Sequence, residues 1–312
     1  MTVAVIGGGL MGHGIALTFA RAGYYVCVVE PVAEMRANLP ERVRESLTLL
    51  GVDGDAVAGA VVRIETCDAI PEAVRGASFV FEAAPEKLAL KHAIFGELEI
   101  YAPDDAVLAS NTSVIQISKI MDGLASRHRA LGTHWWNPPH MIPLVEVVKT
   151  EWTDPAVAEA THALLAKVGK TPVMVEKDVP GFIGNRLQHA LWREAISLVE
   201  NGICSAEAVD DVVKASFGRR LAVLGPLENA DLVGIELTQD IHAQVLFDLD
   251  RSTEPSQYLT KLRDAGRLGM SAGAGFRDWE DGDLAATKKR VADHLRQLEA
   301  ILPERSDMGG KT

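Results

Sequence analysis

The chain carries little with which to staple itself. Its three cysteines, Cys27, Cys67 and Cys204, are odd in number and share no spacing. They are better read as reduced core residues in a cytoplasmic protein than as a disulfide framework or a thiolate metal site. No apolar run approaches the roughly 18 residues that a membrane helix needs. Met1–Ile6 has no basic flank and runs straight into glycines, so it makes a poor signal peptide. Basic blocks are missing too, and the formal net charge is −12. Nucleic acid and anionic membrane are therefore not expected as partners. There is no internal repeat and no low-complexity segment, and the first lysine is Lys87.

What is present is enough for a sizeable core. With 312 residues, 47% of them hydrophobic, the chain is expected to form two globular domains. Thr2–Ile6 is a short β-branched run, followed by glycines, a helical pattern over Met11–Ala22 and a second apolar run over Tyr24–Val29. This order opens an α/β doubly wound sheet. Further strands are expected at Val61–Ile64, Phe79–Ala83, Ala106–Ala109, Ala130–Thr133, Leu144–Val148 and Pro172–Val175. Helical patterns over Glu86–Ile100 and Pro155–Val168 lie among them. Asp178-Val179-Pro180-Gly181 reads as a break, giving domains of residues 1–180 and 181–312. Beyond it the pattern is all helical: Ile183–Asn201, Ser205–Ala215 with Ser205 as N-cap, Val233–Phe247, Ser256–Ala265 and Leu284–Leu302. Residues after Pro303 are polar and are expected to fray.

Two segments carry chemistry. Gly7-Gly8-Gly9-Leu10-Met11-Gly12 satisfies G-x-G-x-x-G in the required setting, after a strand and opening a helix. Gly7 permits the tight turn, Gly9 lets a pyrophosphate approach, and Gly12 allows close packing of helix on strand. The amides at Leu10 and Met11 begin the helix and face the phosphates. Glu30, ending the second strand, is expected to accept hydrogen bonds from the adenosine ribose and to repel a 2′-phosphate, so the cofactor is NAD. Arg36, a few residues on, is the one feature that blurs this preference.

The second segment runs from His134 to Glu146, two apolar strands joined by Trp136-Asn137-Pro138-Pro139-His140. A histidine backed by a carboxylate takes a proton near neutral pH. From the residues alone, His134 is either such a base or a satisfied core histidine. Metal ligation by His134 and His140 fits no trusted spacing, and no G-x-S-x-G elbow precedes Ser110 or Ser113. His13, inside the glycine turn, is expected as an ordinary surface side chain, the alternative being a contact to a substrate carboxylate. Arg219 and Arg220 are either an anion anchor or a solvated pair.

Taken together, Gly7–Gly14, Glu82-Ala83-Ala84-Pro85-Glu86, Ser110-Asn111-Thr112-Ser113, His134 with Asn137-Pro138, Leu144–Val147 and Pro180–Arg186 make the chain resemble the 3-hydroxyacyl-CoA dehydrogenase family over nearly its whole length. The resemblance implies an NAD-binding Rossmann domain and an all-α C-terminal domain that forms a homodimer, with the active site in the cleft between them. It implies His134 as general base, Glu146 as its orienting partner, and Ser113 and Asn185 as residues positioning substrate and nicotinamide. Glu86, Lys91 and Asn137 match positions that approach the cofactor, although a lysine on a helix more commonly faces solvent.

The chain also departs from that family. Its acyl-CoA enzymes carry lysines after the second strand, where this chain offers only Arg36, Arg42, Arg44, Arg63 and Arg75 before Lys87. Met270 and Ser271 stand where paired lysines are common. The Asn-Pro-Pro loop and the extra helix at Leu284–Leu302 look more like the L-gulonate 3-dehydrogenase branch. The expected activity is NAD-dependent interconversion of a 3-hydroxy acid, or its thioester, and the 3-keto form. A related dehydrogenase of a small polar or pyridine alcohol is one alternative, and a crystallin-like NADH-binding protein is another.

Overall fold

The protein is described by a computed structural model covering residues 1–302. The tail expected to fray after Pro303 lies outside the described residues. The chain forms two compact units, Met1–Arg186 and Leu187–Thr312.

The first unit is built on eight strands: β1 (Thr2–Ile6), β2 (Tyr25–Val29), β3 (Ile64–Cys67), β4 (Ala77–Glu82), β5 (Val107–Ser110), β6 (Ala130–Trp135), β7 (Leu144–Val148) and β8 (Thr171–Val175). They form one sheet in the order β3-β2-β1-β4-β5-β6-β7-β8. Every pairing is parallel except that of β6 with β7. Its helices are α1 (Leu10–Arg21), α2 (Ala33–Leu49), α3 (Gly54–Val62), α4 (Ile70–Val74), α5 (Leu88–Tyr101), α6 (Ile117–Ile120) and α7 (Pro155–Lys167).

Strand alternation divides the core between the two faces of this sheet. Val3 and Val5 pack with Ile15, Phe19, Leu39 and Leu165 on one side. Ala4 and Ile6 pack with Ile94, Phe95 and Leu98 on the other. Strand order reverses between β1 and β4, the place where doubly wound sheets open a crevice at their carboxyl ends.

One expected strand is displaced, and one long helix is additional to those expected. The β-branched pair Val61-Val62 ends α3, which Asp53 caps by accepting from the Asp55 amide, so the strand begins later, at Ile64. The excursion after β2 holds the 17-residue α2, a helix masked in the sequence by its internal Pro40. Cys27 and Cys67, far apart in sequence, lie with their sulfurs 3.7 Å apart as free thiols, and burial pushes Cys27 up to about 12.

The helices of the second part are α8 (Gly184–Glu200), α9 (Ala206–Ala215), α10 (Pro226–Val233), α11 (Ile235–Val245), α12 (Gln257–Asp264) and α13 (Asp283–Ile301). Ser205 caps α9 by accepting from the Ala208 amide. The helix expected over Val233–Phe247 is α11, which starts two residues later because Gly234, at φ +102°, separates it from α10. Among the described residues no helix is long and apolar enough to cross a membrane.

Candidate active site

The glycine turn sits directly after β1, and its glycines are required by contact. A Cβ on Gly12 would stand 1.7 Å from the Gly7 carbonyl oxygen, and one on Gly7, whose φ is +104°, would stand 2.8 Å from that of Ala83. Gly9 differs: a Cβ there would meet nothing within 4 Å, so one face of the turn is open to a ligand. Leu10 is exposed and Met11 partly so, at the start of α1. Glu30 is buried at the end of β2, accepting from the amides of Gly8 and Val32 at 3.0 Å each. Its carboxylate lies beside the turn, as a ribose-binding acid requires. Arg36 donates to the backbone carbonyl of Glu30 at 2.6 Å. These features suit a dinucleotide: an open glycine, free helix-start amides and a fixed carboxylate.

His134 and Glu146 meet because β6 and β7 run antiparallel. They are register partners, so their side chains lie side by side on one face of the sheet. His134 Nδ1 donates to Glu146 Oε2 at 2.7 Å, with both residues buried. That bond takes Nδ1 and leaves Nε2 for proton exchange. The other carboxylate oxygen of Glu146 accepts from the amides of Ile183 and Gly184, at 2.8 and 3.1 Å, where α8 begins. Burial opposes the charge of Glu146, but the His134 bond and the two amides outweigh it and hold its carboxyl below the ordinary range. His134 stands between two aromatic rings, Trp136 at 5.3 Å and Phe182 at 5.5 Å between centroids. Phe182 is buried at a left-handed φ of +50°. Gly184 lets Trp136 lie on the start of α8, since a Cβ there would stand 2.4 Å from the indole.

Ser113 and Asn185 also come together. Asn185 Nδ2 donates to the backbone carbonyl of Ser113 at 2.8 Å. Glu86 organises the same turn, one oxygen accepting from the Thr112 hydroxyl and the amides of Ser113 and Val114. Burial disfavours its charge as well, yet these donors and Lys91 hold its carboxyl below the usual range. Asn137 is exposed in the loop after β6, at a cis bond to Pro138.

Lys91 is not on a solvated face. It is fully buried, 2.7 and 2.9 Å from the two oxygens of Glu82 and 3.4 Å from Glu86. Ser110, also buried, donates to Glu82 at 2.6 Å, which leaves it poorly placed as a nucleophile. The surface reading of His13 is likewise overturned: it is only 6% exposed and lies against Arg42, Ser46 and His140. Arg219 and Arg220 are exposed. Among the described residues no cluster of three or more His, Cys, Asp or Glu is placed to hold a metal ion.

Glu82, Asn111 and Phe182 lie in the quoted motifs but carried no assigned role in the sequence. Asn111 accepts the Trp135 amide at 2.9 Å and so fixes β6 just past His134. The acid in Glu82-Ala83-Ala84 at a strand end was a usable signal for Glu82.

Family models place residues 2–179 in the 3-hydroxyacyl-CoA dehydrogenase NAD binding domain and residues 181–279 in the corresponding C-terminal domain. The chain is 34% identical over 302 residues to 5-formyl-3-hydroxy-2-methylpyridine 4-carboxylate 5-dehydrogenase of Mesorhizobium japonicum, covering 96% of each. It is 38% identical over 235 residues to the human lambda-crystallin homolog, covering 74% of each. Among solved structures, a 5-formyl-3-hydroxy-2-methylpyridine 4-carboxylic acid 5-dehydrogenase described as an NAD+-dependent dismutase superposes with a TM-score of 0.87 at 31% identity, over 96% of this chain and 97% of that one. (S)-3-Hydroxybutyryl-CoA dehydrogenase from Ralstonia eutropha superposes with a TM-score of 0.75 at 29% identity, over 90% and 99%.

Proposed function

The chain belongs to the 3-hydroxyacyl-CoA dehydrogenase family, and on that premise we propose that it oxidises a small, polar, carboxylate-bearing hydroxy compound rather than a coenzyme A thioester. Membership makes it an NAD-dependent oxidoreductase acting on a CH–OH group. The observation that carries our reading of the chemistry is the buried His134–Glu146 pair. Bound NAD supplies the hydride acceptor, and the protein's own residues manage the proton. His134 Nε2 takes the hydroxyl proton, while Glu146 fixes the ring tautomer and balances the imidazolium charge. Ser113 and Asn185 orient the substrate oxygen and the nicotinamide side, on a turn that Glu86 holds rigid. Lys91 and Glu82 brace that turn from beneath, and Asn137 lines the cofactor side from the loop.

The preference for a small substrate rests on the arginines after β2. Arg36 is engaged with backbone carbonyls and Asp68, Arg42 with the glycine turn, Arg44 with Glu41 and Arg63 with Gly59. Three of the five cations, Arg36, Arg42 and Arg63, are thus engaged with backbone carbonyls, while Arg44 makes only an exposed pair. Similarity at almost full length to a pyridine carboxylate dehydrogenase points the same way. The thioester reading keeps the support of the 3-hydroxybutyryl-CoA dehydrogenase likeness.

The test measures NADH formation with a panel of short hydroxy acids, sugar acids and hydroxymethyl pyridine carboxylates, beside 3-hydroxybutyryl-CoA. We expect a small acid to exceed the thioester in kcat/KM by about a hundredfold or more, the scale of discrimination that a shaped polar pocket provides. Comparable turnover of the thioester would reverse the substrate assignment. NADH binding without turnover of any compound would favour a crystallin-like role. We also propose that the protein is cytoplasmic and works as a homodimer joined through its second unit.

A further inference from the structure

The arginine at position 42 does something that the cofactor motif alone does not require. Half-buried on α2, it donates to the carbonyl oxygens of Gly8 at 2.7 Å and Gly9 at 3.1 Å. The same nitrogen that meets Gly9 lies 3.1 Å from His13 Nδ1, and His13 Nε2 lies 3.3 Å from Ser46 Oγ. Nδ1 also lies 3.2 Å from the Gly9 carbonyl oxygen, so the neutral ring either accepts from Arg42 and donates to Ser46, or donates to Gly9 and accepts from Ser46. Burial and the adjacent guanidinium lower the His13 pKa, which keeps the ring neutral and able to accept. In either state a neutral His13 sits beside the guanidinium without a clash of charge, while Arg42 keeps both glycine carbonyls.

Its consequence follows from peptide geometry. In a trans peptide the C=O and the next N–H point in opposite directions. Drawing the Gly8 and Gly9 carbonyls toward α2 turns the amides of Gly9 and Leu10 away from it. Gly9 is the residue of the turn whose Cβ position is open, whereas a Cβ on Gly8 would stand 3.1 Å from Glu30. The fixed amides thus lie where a pyrophosphate has room to approach.

We propose that Arg42 is a positioning residue for the cofactor: its two-carbonyl fork, seated on neutral His13, pre-sets the glycine-turn amides that receive the dinucleotide pyrophosphate. The proposal rests on the NAD reading of this site and adds a residue outside the glycine motif. It also separates geometry from charge. Lysine supplies the same charge but cannot span both carbonyls and the imidazole with a planar fork.

The experiment titrates NADH and, separately, ADP-ribose into the full-length protein and its variants, with melting temperature of the unliganded protein as the folding control. Arg42→Met should weaken both ligands about tenfold with the melting temperature within a few degrees of wild type, and Arg42→Lys should fall between the two. The proposal is overturned if Arg42→Met binds within twofold of wild type. It is equally overturned if Arg42→Lys matches wild type, because charge alone would then suffice. Should Arg42→Met fail to fold, His13 decides: His13→Asn, which keeps an acceptor near Nδ1, should bind close to wild type, and His13→Phe should bind several-fold more weakly. Equal affinities for those two would overturn it. A wild-type protein that bound neither NADH nor ADP-ribose would instead remove the cofactor reading itself, and this proposal with it.

Discussion

At the scale of single residues, the site depends on how Glu146 is held. A carboxylate with 1% exposure is costly unless its oxygens are bonded, and here His134 and the first amides of α8 meet that need. Removing either partner should therefore have different effects. His134→Gln should lower turnover about a thousandfold, within the range for loss of a general base, while NADH affinity by titration stays near wild type. Near-normal turnover in that variant would refute the assignment of the base. Glu146→Gln keeps the shape but loses the charge that stabilises imidazolium. It should retain partial activity, with the pH profile of its rate shifted from that of wild type. The ends of this pair were legible in the sequence as residue types. Their contact was not, since a spacing of twelve residues gives proximity only once the two strands pair antiparallel in this register.

At the scale of elements, the loop after β6 is locked onto the glycine helix. Pro139 and His140 lie so close to α1 that a Cβ on Gly14 would stand 2.4 Å from the proline ring. His13 and His140 meet edge to face at 5.9 Å between centroids. The groups facing this pair are Arg42 from α2 and Lys170, which precedes β8 and donates to the carbonyls of Pro139 and Ile142. Burial, His13 and Lys170 together push His140 down to about 4, and His13 is lowered as well. The unfolded chain then binds more protons than the folded one between pH 6.5 and about 4. Stability should be full above that window and fall as pH drops through it, by at most about 1.4 kcal/mol per pH unit for each histidine. Melting temperature followed across this window should fall with acid in wild type and fall less steeply in His140→Asn. Parallel curves would show that His140 titrates as it does in the unfolded chain. In the sequence His13 reads as a surface side chain and His140 as part of a loop; only packing shows them as neighbours.

At the scale of the molecule, the two units are built on different terms. The first buries two apolar layers against its sheet. In the second, none of the described hydrophobic side chains is fully buried, and Trp192, Leu227, Leu232 and Ile235 are all exposed. A helical unit of that length needs a core, and a second copy of the chain supplies one in our reading, as the proposed homodimer requires. Mass measured by light scattering at micromolar concentration should be twice the 33.6 kDa chain. A monomer that stays folded on dilution would remove the homodimer from the proposal.

By itself the sequence determined the order of strands and helices, the glycine turn with its acid, and the residue types of the proton-transfer pair. These are local properties: periodicity, β-branching and the steric need for glycine act within a few residues of themselves. Only the tertiary structure decided that Lys91 is buried against Glu82, that His13 is buried beside Arg42 and not a surface group, and that Arg42 serves the turn. Each of those facts depends on which distant side chain fills the same space, and burial makes an ion or a ring nitrogen find its partner wherever the fold brings one. The glycine at 234 shows the same limit from the other side. Its positive φ sets where α11 begins, a boundary that side-chain periodicity placed at Val233.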